Sequence, residues 1–252
     1  MMKKYLLLVL ALFYVNVFNA YAIEKEDIPH LAGLGVLVYD GPYKGRDTQV
    51  APAPIICWEN DRFFVRELKG GVILYETEEV EFDAFLKPRL SGYDNEDSND
   101  LDGMDDRDYS LDGGLQFTWD IPVMGNLELG TSVAGDLLSE YKGMEIESTL
   151  SKLFDFTPVF VRLGIGVSWQ SESLVDYYYG VKSTEVTATR SEYSPNSAVN
   201  GNIALDVYLA LSEEWLVVSR VKCDFLNNEI KDSPIVDEDY TITTLLGVTR
   251  MF

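Results

Sequence analysis

The sequence predicts an all-β protein, a transmembrane antiparallel up-and-down β-barrel of about 12 strands, with ten strands as the alternative. Three observations predict this fold. The chain begins with a segment typical of exported proteins, and apolar and polar residues then alternate along segments long enough to cross a membrane as tilted strands. The long connections between these segments can all lie on one side of a membrane, with only short connections on the other side. This asymmetry is typical of barrels in the outer membrane of Gram-negative bacteria.

Residues 1–22 predict a cleaved signal peptide. Lys3 and Lys4 form a short basic start, an apolar run follows, and the sequence AYA ending at Ala22 has the small-x-small form of a cleavage site. The apolar run, about 14 residues, is shorter than the roughly 20 residues that a membrane helix needs. We therefore expect residues 23–252 to form a single barrel domain.

Alternation with period two recurs along the chain. From Val199 to Leu211 the odd positions are mostly large and apolar, and the even positions are small or polar. Alternation alone also fits a soluble sandwich or a lipocalin-like barrel with its apolar face inward. The signal peptide, aromatic residues near strand ends and a final strand ending in Phe252 favour the outer membrane. A terminal aromatic residue such as Phe252 resembles the signal read by the barrel assembly machinery.

Twelve strands account for these segments. They are predicted at residues 31–39, 50–58, 62–67, 70–76, 79–90, 109–119, 125–138, 142–153, 157–170, 198–211, 214–225 and 240–252. If the amino terminus lies in the periplasm, all the long connections fall outside the cell, and the connections on the periplasmic side are all about five residues or fewer. Segment 62–67 is the shortest, which leaves ten strands possible.

The predicted lumen is charged and mostly acidic. Its inward positions are Glu81, Asp83, Asp112, Glu128, Asp136, Glu145, Glu147, Asp206 and Asp224, with the bases Lys87, Arg89, Arg162, Arg220 and Lys222. Unpaired buried charge is costly, so most of these groups need partners. Two interpretations follow: a plug of salt-bridged side chains, or a narrow water-filled path that favours cations.

Composition excludes several classes of function. The chain carries 20 Lys and Arg residues against 42 Asp and Glu residues, a formal net charge of −22. This excludes nucleic acid as a partner, because binding it depends on clustered basic residues. The sequence contains one histidine, so most histidine-based catalytic and zinc sites are missing.

A barrel enzyme is the rival interpretation. A lipid hydrolase at the membrane surface needs a histidine to activate serine or water. His30 precedes the first strand on the periplasmic side, whereas such enzymes generally work at the outer face. An acid pair such as Asp112 and Asp136 stays open, because the spacing between strands cannot be read from the sequence. We expect a rim histidine, no catalytic residue and no cofactor.

The longest acidic stretch lies at residues 94–108, with eight acids and Arg107. Carboxylates suit calcium, but the EF-hand register fails: with Gly103 at the invariant glycine, Ser98 falls at the first ligand and Tyr109 at the last. We therefore expect a solvated acidic loop without an intrinsic metal site. Outside the cell, such a loop could share divalent cations with the phosphates of lipopolysaccharide.

The same stretch carries a family motif. Its residues are Leu101, Asp102, Gly103, Met104, Asp105, Asp106, Arg107 and Asp108. They resemble the LDG-x-x-DRD signature of the MipA/OmpV family, the MltA-interacting proteins of the outer membrane. Further pieces agree in order, namely residues 33–35 with 42–45, 53–56 with 62–64, and 178–181 with 193–195. The polar insertion at residues 181–190 departs from the family pattern.

The resemblance implies a non-enzymatic barrel in the outer membrane, in contact with membrane lipid and lipopolysaccharide. Family members are described as scaffolds that link a murein hydrolase to a bifunctional penicillin-binding protein, and others as porins or adhesin-like surface barrels. For a scaffold, the contacts would lie on the periplasmic rim, at residues 23–30, 59–61, 121–124 and 154–156. These segments are short, which predicts small interfaces.

The two cysteines test the strand order. Cys57 lies near the periplasmic end of the second predicted strand, and Cys223 lies near the outer end of the eleventh, on its lipid-facing side. A disulfide needs Cα atoms within about 7 Å. We therefore expect two free thiols.

Overall fold

The computed structural model describes residues 30–122, 125 and 127–252; the predicted signal peptide lies outside them. The described residues form a closed barrel in which each strand pairs antiparallel with its neighbours in sequence and β1 pairs with β12. The strands are β1 Leu31–Asp40, β2 Gln49–Glu59, β3 Phe63–Arg66, β4 Lys69–Glu76, β5 Val80–Arg89, β6 Ser110–Ile121, β7 Leu127–Asp136, β8 Met144–Phe156, β9 Val159–Gln170, β10 Ala198–Ala210, β11 Trp215–Phe225 and β12 Tyr240–Met251. The predicted 12-strand barrel is confirmed. The ten-strand alternative is wrong, because β3 and β4 are separate strands joined by a tight turn.

The two faces of each strand behave as the alternation predicts. On β10, Val199 and Ile203 are exposed, whereas Asn200, Asn202 and Asp206 are buried. A sheet that exposes its apolar face and buries its polar face is suited to hydrocarbon outside and a polar interior. The strand ladder fixes this arrangement, because a slip of one residue would exchange the two faces.

Aromatic side chains mark the periplasmic ends of the strands. Trp58, Trp119, Trp215 and Phe252 are all exposed there, as is Phe156 at the end of β8. Such a girdle places amphipathic rings at the level of the lipid headgroups. Among the residues that the structure describes, no helix has the length and apolar character needed to cross a membrane.

The outer loops contain helices that the sequence pattern did not predict. They are α1 Glu172–Tyr179, α2 Asn228–Lys231 and a 3-10 turn at Asn95–Asp97. Leu174, Val175, Tyr178 and Tyr179 make the buried face of α1. Their spacing is helical, but the segment is too short for its period to stand out among the surrounding polar residues.

The barrel wall is shorter at β3 and β4 than elsewhere. β3 has four residues, and its ladder with β2 reaches only from Glu59 to Cys57. The ladder between β4 and β5 ends at Leu86. Above the β3–β4 hairpin, the outer part of β2 and residues 87–89 of β5 therefore face each other. Neither has a strand partner on that side among the described residues. We call this opening above the β3–β4 hairpin the wall notch.

Prolines line both edges of the wall notch. The carbonyl of Ile56 accepts a hydrogen bond from Glu67 on the β3 side. Because backbone groups alternate in direction along a strand, Pro52 and Pro54 aim their nitrogens into the notch. On the other edge Pro88 pairs with Leu111, whose carbonyl bonds toward β7, so the Pro88 nitrogen also points into the notch. Proline is tolerated here because no ladder needs its missing N–H.

Candidate functional site

The outer loops pack together over the end of the barrel. Their apolar side chains form one buried cluster, called the cap here: Tyr43, Tyr93, Leu101, Met104, Tyr141, Leu174, Val175, Tyr178, Tyr179, Val181, Ala198, Leu226, Ile230, Ile235 and Val236. The rings of Tyr43 and Tyr93 meet edge-on with centroids 4.6 Å apart, and Tyr43 stacks on Tyr179 at 5.8 Å. The four long outer loops and the shorter connection between β7 and β8 all contribute, so the cap covers the outer opening.

Arg107 of the family motif connects two of these loops. Its Nη2 donates to both carboxylate oxygens of Glu185, at 3.0 and 3.2 Å, and its Nε donates to the carbonyl of Tyr177 at 2.5 Å. The guanidinium also lies over the rings of Tyr93 and Tyr177. Arg107 is buried, so these partners replace its water.

Glu185 and Arg190 show what the insertion at residues 181–190 does. Glu185 accepts from the backbone nitrogens of Asp105 and Lys182, at 3.0 and 2.8 Å. Arg190 donates to the carbonyls of Asp100 and Asp102, at 2.7 and 2.8 Å. The insertion therefore holds the motif loop in place, a role that the sequence analysis missed because both partners are remote in sequence.

The acids of residues 94–108 are mostly exposed, as expected for a solvated acidic loop, but the loop is also anchored to the cap. Leu101, Met104 and Arg107 are buried, because the loop folds its apolar residues into the cap. The other motif residues, Asp102, Gly103, Asp105, Asp106 and Asp108, are exposed. Gly103 has φ +79, a left-handed conformation that favours glycine at this turn. The loop thus presents its carboxylates outward from a fixed backbone.

Electrostatics of the cap follow from this burial. Burial raises the pKa of the phenols of Tyr43, Tyr93 and Tyr179, so these groups stay neutral. At the surface, the hydrogen bond that Lys182 Nζ donates to Asp105 at 2.7 Å lowers the pKa of that carboxyl. The Tyr93 hydroxyl is buried and has no hydrogen-bond partner among the residues that the structure describes.

One ion network lies directly under the cap. Arg89 contacts Asp112 at 2.8 Å and Glu145 at 2.7 Å, and Lys87 lies 3.7 Å from Glu145. The hydroxyl of Tyr141 donates to Asp112 at 2.5 Å. This network couples the wall strands β5, β6 and β8 to the loop between β7 and β8.

Further inward charges pair within the lumen, some of them on the same or neighbouring strands. Arg220 contacts Asp206 at 2.5 Å and Glu67 at 2.6 Å. Lys222 contacts Glu147 at 2.9 Å and Asp224 at 3.1 Å.

Arg162 and Asp136 have weaker or different roles. Arg162 lies 3.3 Å from Glu128, and both side chains are about one-third exposed. Asp136 faces Asp112 across β6 and β7, but it accepts from Ser110 Oγ at 2.6 Å and from backbone amides at 138, 139, 141 and 142. The carboxylates of Asp112 and Asp136 thus have separate partners: Asp112 belongs to the Arg89 network, and Asp136 binds the turn after β7.

The predicted residues Glu81 and Asp83 lie at the periplasmic end, where the sequence analysis missed their basic partner. Arg66 bonds Glu81 at 2.8 Å and Glu59 at 2.7 Å, and its Nη1 lies 3.8 Å from Asp83. β3 has too few residues for its alternation to assign the face of Arg66.

The described part of the barrel encloses two cavities lined by charged side chains among others. The larger, of about 350 Å³, is lined by residues that include Glu128, Glu147, Asp206 and Arg220. The smaller, of about 210 Å³, lies nearer the cap and is lined by residues that include Lys87, Arg89 and Glu145. Both are large enough for several waters, and their linings carry both signs of charge.

His30 and the cysteines occupy positions without catalytic partners in the described residues. The His30 ring packs edge-on against Trp58 and Phe252, with centroids 6.2 and 6.1 Å away, and its carbonyl accepts from the Phe252 amide. Cys57 and Cys223 are free thiols, as expected.

Comparison with known proteins agrees with this architecture. The family model described as MltA-interacting protein MipA matches residues 32–252. The MltA-interacting protein of Escherichia coli (strain K12) is 30% identical over 223 residues, covering 87% of this chain and 89% of that protein. Outer membrane protein OmpV of Vibrio cholerae is 30% identical over 158 residues, covering 63% of this chain and 60% of that protein. Among solved structures, the CymD monoaromatic hydrocarbon channel aligns with a TM-score of 0.41 at 11% identity, over 94% of this chain and 95% of that chain. The chain is an outer-membrane barrel and belongs to the MltA-interacting protein (MipA) family.

Proposed function

We propose that this protein is a non-enzymatic scaffold of the outer membrane whose periplasmic rim binds a murein hydrolase and a bifunctional penicillin-binding protein. The observation that carries the proposal is the cap. Because a buried apolar cluster covers the outer opening and ion pairs fill much of the lumen, the periplasmic rim is the surface left for a large partner. The 30% identity to a protein named MltA-interacting protein supports a murein hydrolase as that partner.

The rim has a defined electrostatic character. Asp61, Glu76, Glu79, Glu213 and Glu214 are exposed in or beside the periplasmic turns. An acidic rim favours a basic partner surface and accelerates association through long-range attraction. The turns are short, so each contact area is small and binding is expected to weaken steeply with salt.

Charge reversal at the rim tests the scaffold. In a pull-down with purified lytic transglycosylase and penicillin-binding protein, the double variant Glu79→Lys/Glu213→Lys should retain at least ten-fold less of each enzyme than the parent barrel. The matched control, Asp102→Lys/Asp106→Lys, reverses two charges on the outer surface and should bind as the parent does. Failure of the parent barrel to retain either enzyme at low salt would contradict the proposal.

A narrow cation-favouring channel is the second candidate function. The larger cavity supports it, because Glu128, Glu147 and Asp206 lie along its wall. The scaffold proposal expects the parent protein to be silent in planar bilayers. Steady conductance with a cation preference would favour the channel instead.

A further inference from the structure

Four carboxylates surround one arginine at the periplasmic end of the lumen. Glu59 ends β2, Glu76 ends β4, and Glu81 and Asp83 lie on β5. Oxygens of Glu59, Glu76 and Glu81 all lie within 4.8 Å of one another. Arg66 bonds Glu59 and Glu81, so one guanidinium faces four negative charges.

Within this cluster, Asp83 is the carboxylate whose negative charge is least compensated. Its side chain is fully buried, at 0% exposure, and within the described part of the chain neither carboxylate oxygen has a hydrogen-bond partner. The nearest basic atom is Arg66 Nη1, 3.8 Å away, which also contacts Glu81. Because residues two apart on a strand share a face, the Asp83 carboxylate points into the same cluster as Glu81. A buried carboxylate without donors needs a cation or a proton to offset its lost hydration.

The oxygen spacing fits a calcium ion. Calcium takes oxygen ligands at roughly 2.3–2.6 Å, so two ligands on opposite sides of the ion are about 4.6–5.2 Å apart. The three glutamate oxygens meet this limit. Magnesium demands a near-ideal octahedron with ligands at about 2.0–2.1 Å, whereas calcium tolerates irregular sets of oxygen ligands, so carboxylates from the ends of three strands favour calcium.

The strand ladder holds the candidate ligands in place. Glu76 pairs directly with Glu81, and Glu59 pairs with Phe64 on the neighbouring strand. Glu76 is exposed at the strand end, which gives a hydrated ion a path from the periplasm. Arg66 donates to one oxygen of Glu59 and to both oxygens of Glu81, at 2.8 and 3.0 Å. An ion would therefore bind the second oxygen of Glu59 and share a Glu81 oxygen with Arg66, since a carboxylate oxygen has two lone pairs.

We propose that Glu59, Glu76 and Glu81 form a calcium site at the periplasmic mouth, with Asp83 as the buried charge that the ion balances. This site was not expected from the sequence, where the acidic loop at residues 94–108 was the metal candidate. The proposal is independent of the scaffold function, because it can be tested without any partner protein.

Calcium titration of the purified, detergent-solubilised barrel tests the site. After treatment with a chelator, calorimetry should show one calcium site that Glu76→Gln weakens at least ten-fold. The matched control Glu79→Gln also removes one negative charge, but from the exposed turn next to the site. It should leave the calcium affinity unchanged. Magnesium should bind at least ten-fold more weakly than calcium.

A second measurement addresses Asp83. Calcium should raise the temperature at which the folded barrel loses its distinct gel mobility, and Asp83→Asn should abolish most of that rise. If Asp83 and Glu81 share a proton instead, Asp83→Asn will stabilise the barrel equally with and without calcium. That result, or calcium binding that is unchanged in Glu76→Gln, would overturn the proposal.

Discussion

Arg107 and Glu185 form an ion pair in which one nitrogen, Nη2, lies 3.0 and 3.2 Å from the two carboxylate oxygens, although the residues are 78 positions apart in sequence. Their side chains are 3% and 2% exposed. The pair joins the motif loop after β5 to the insertion after β9. Replacing one member of a buried pair leaves an uncompensated charge, so this contact is expected to govern whether the cap is closed.

Arg107→Met should open the cap without unfolding the barrel. Leaving Glu185 buried and unpaired costs about 3–5 kcal/mol, and the loops can escape that cost by separating. We expect faster proteolysis within residues 182–190 and new conductance in planar bilayers. Lys182→Met is the control, because its pair with Asp105 is exposed and contributes about 1 kcal/mol or less. A cap that stays protease-resistant in Arg107→Met would show that the pair does not hold it closed.

The sequence predicts the barrel much better than it predicts the cap. Period two places Asn200 and Asp206 inward because that pattern is local and repeated along a long strand. The sequence does not predict the partner of Arg107. Glu185 lies in a polar segment with no periodicity, and only the three-dimensional approach of two loops brings the charges together. Arg66 was missed for a related reason, since four residues of β3 are too few to reveal a face.

Alkaline pH should open the cap. Burial raises the pKa of Tyr43, Tyr93, Tyr178 and Tyr179 above the ordinary value of 10.0, so the folded cap favours the neutral phenol. The stability contribution is fully present below that ordinary value and is lost as the pH rises through the raised values. A tyrosinate absorbance titration of the folded barrel should show a late, cooperative step. Arg107→Met, with its cap already loosened, should lose the late step.

Two tyrosine hydroxyls should respond oppositely to removal. Tyr141→Phe deletes a 2.5 Å hydrogen bond to buried Asp112 and should cost about 1–3 kcal/mol. Tyr93→Phe removes a buried hydroxyl that has no partner and should be neutral or stabilising. The measurement is the thermal midpoint of the shift in gel mobility. Equal losses in both variants would mean that the Tyr93 hydroxyl does have a bonding partner, such as a water.

Lumen arginines should differ in importance according to their burial. Arg89→Met leaves Asp112 and Glu145 without this basic partner. Because the Asp112 side chain has 0% exposure, the substitution should lower the free energy of unfolding by about 3–5 kcal/mol. Arg162→Met breaks a pair with Glu128 in which both side chains are about one-third exposed, and should cost about 1 kcal/mol or less. Urea unfolding in lipid vesicles compares the two. Similar losses would indicate that water reaches the Arg89 network freely.

The prolines of the wall notch should protect an unpaired strand edge. Pro54→Val introduces an N–H that points into the notch, where the described strands offer no ladder acceptor. An unpaired amide at membrane depth is costly, so we expect the free energy of unfolding in lipid vesicles to fall by about 1–3 kcal/mol. Leu34→Val is the control, because Leu34 lies opposite Pro54 on β1, faces outward and belongs to a strand paired on both sides.

An unpaired edge also invites pairing with another chain, so cross-linking at high protein density should trap more dimer of Pro54→Val than of Leu34→Val. Wild-type stability together with a strictly monomeric Pro54→Val barrel would mean that lipid does not reach the edge of β2.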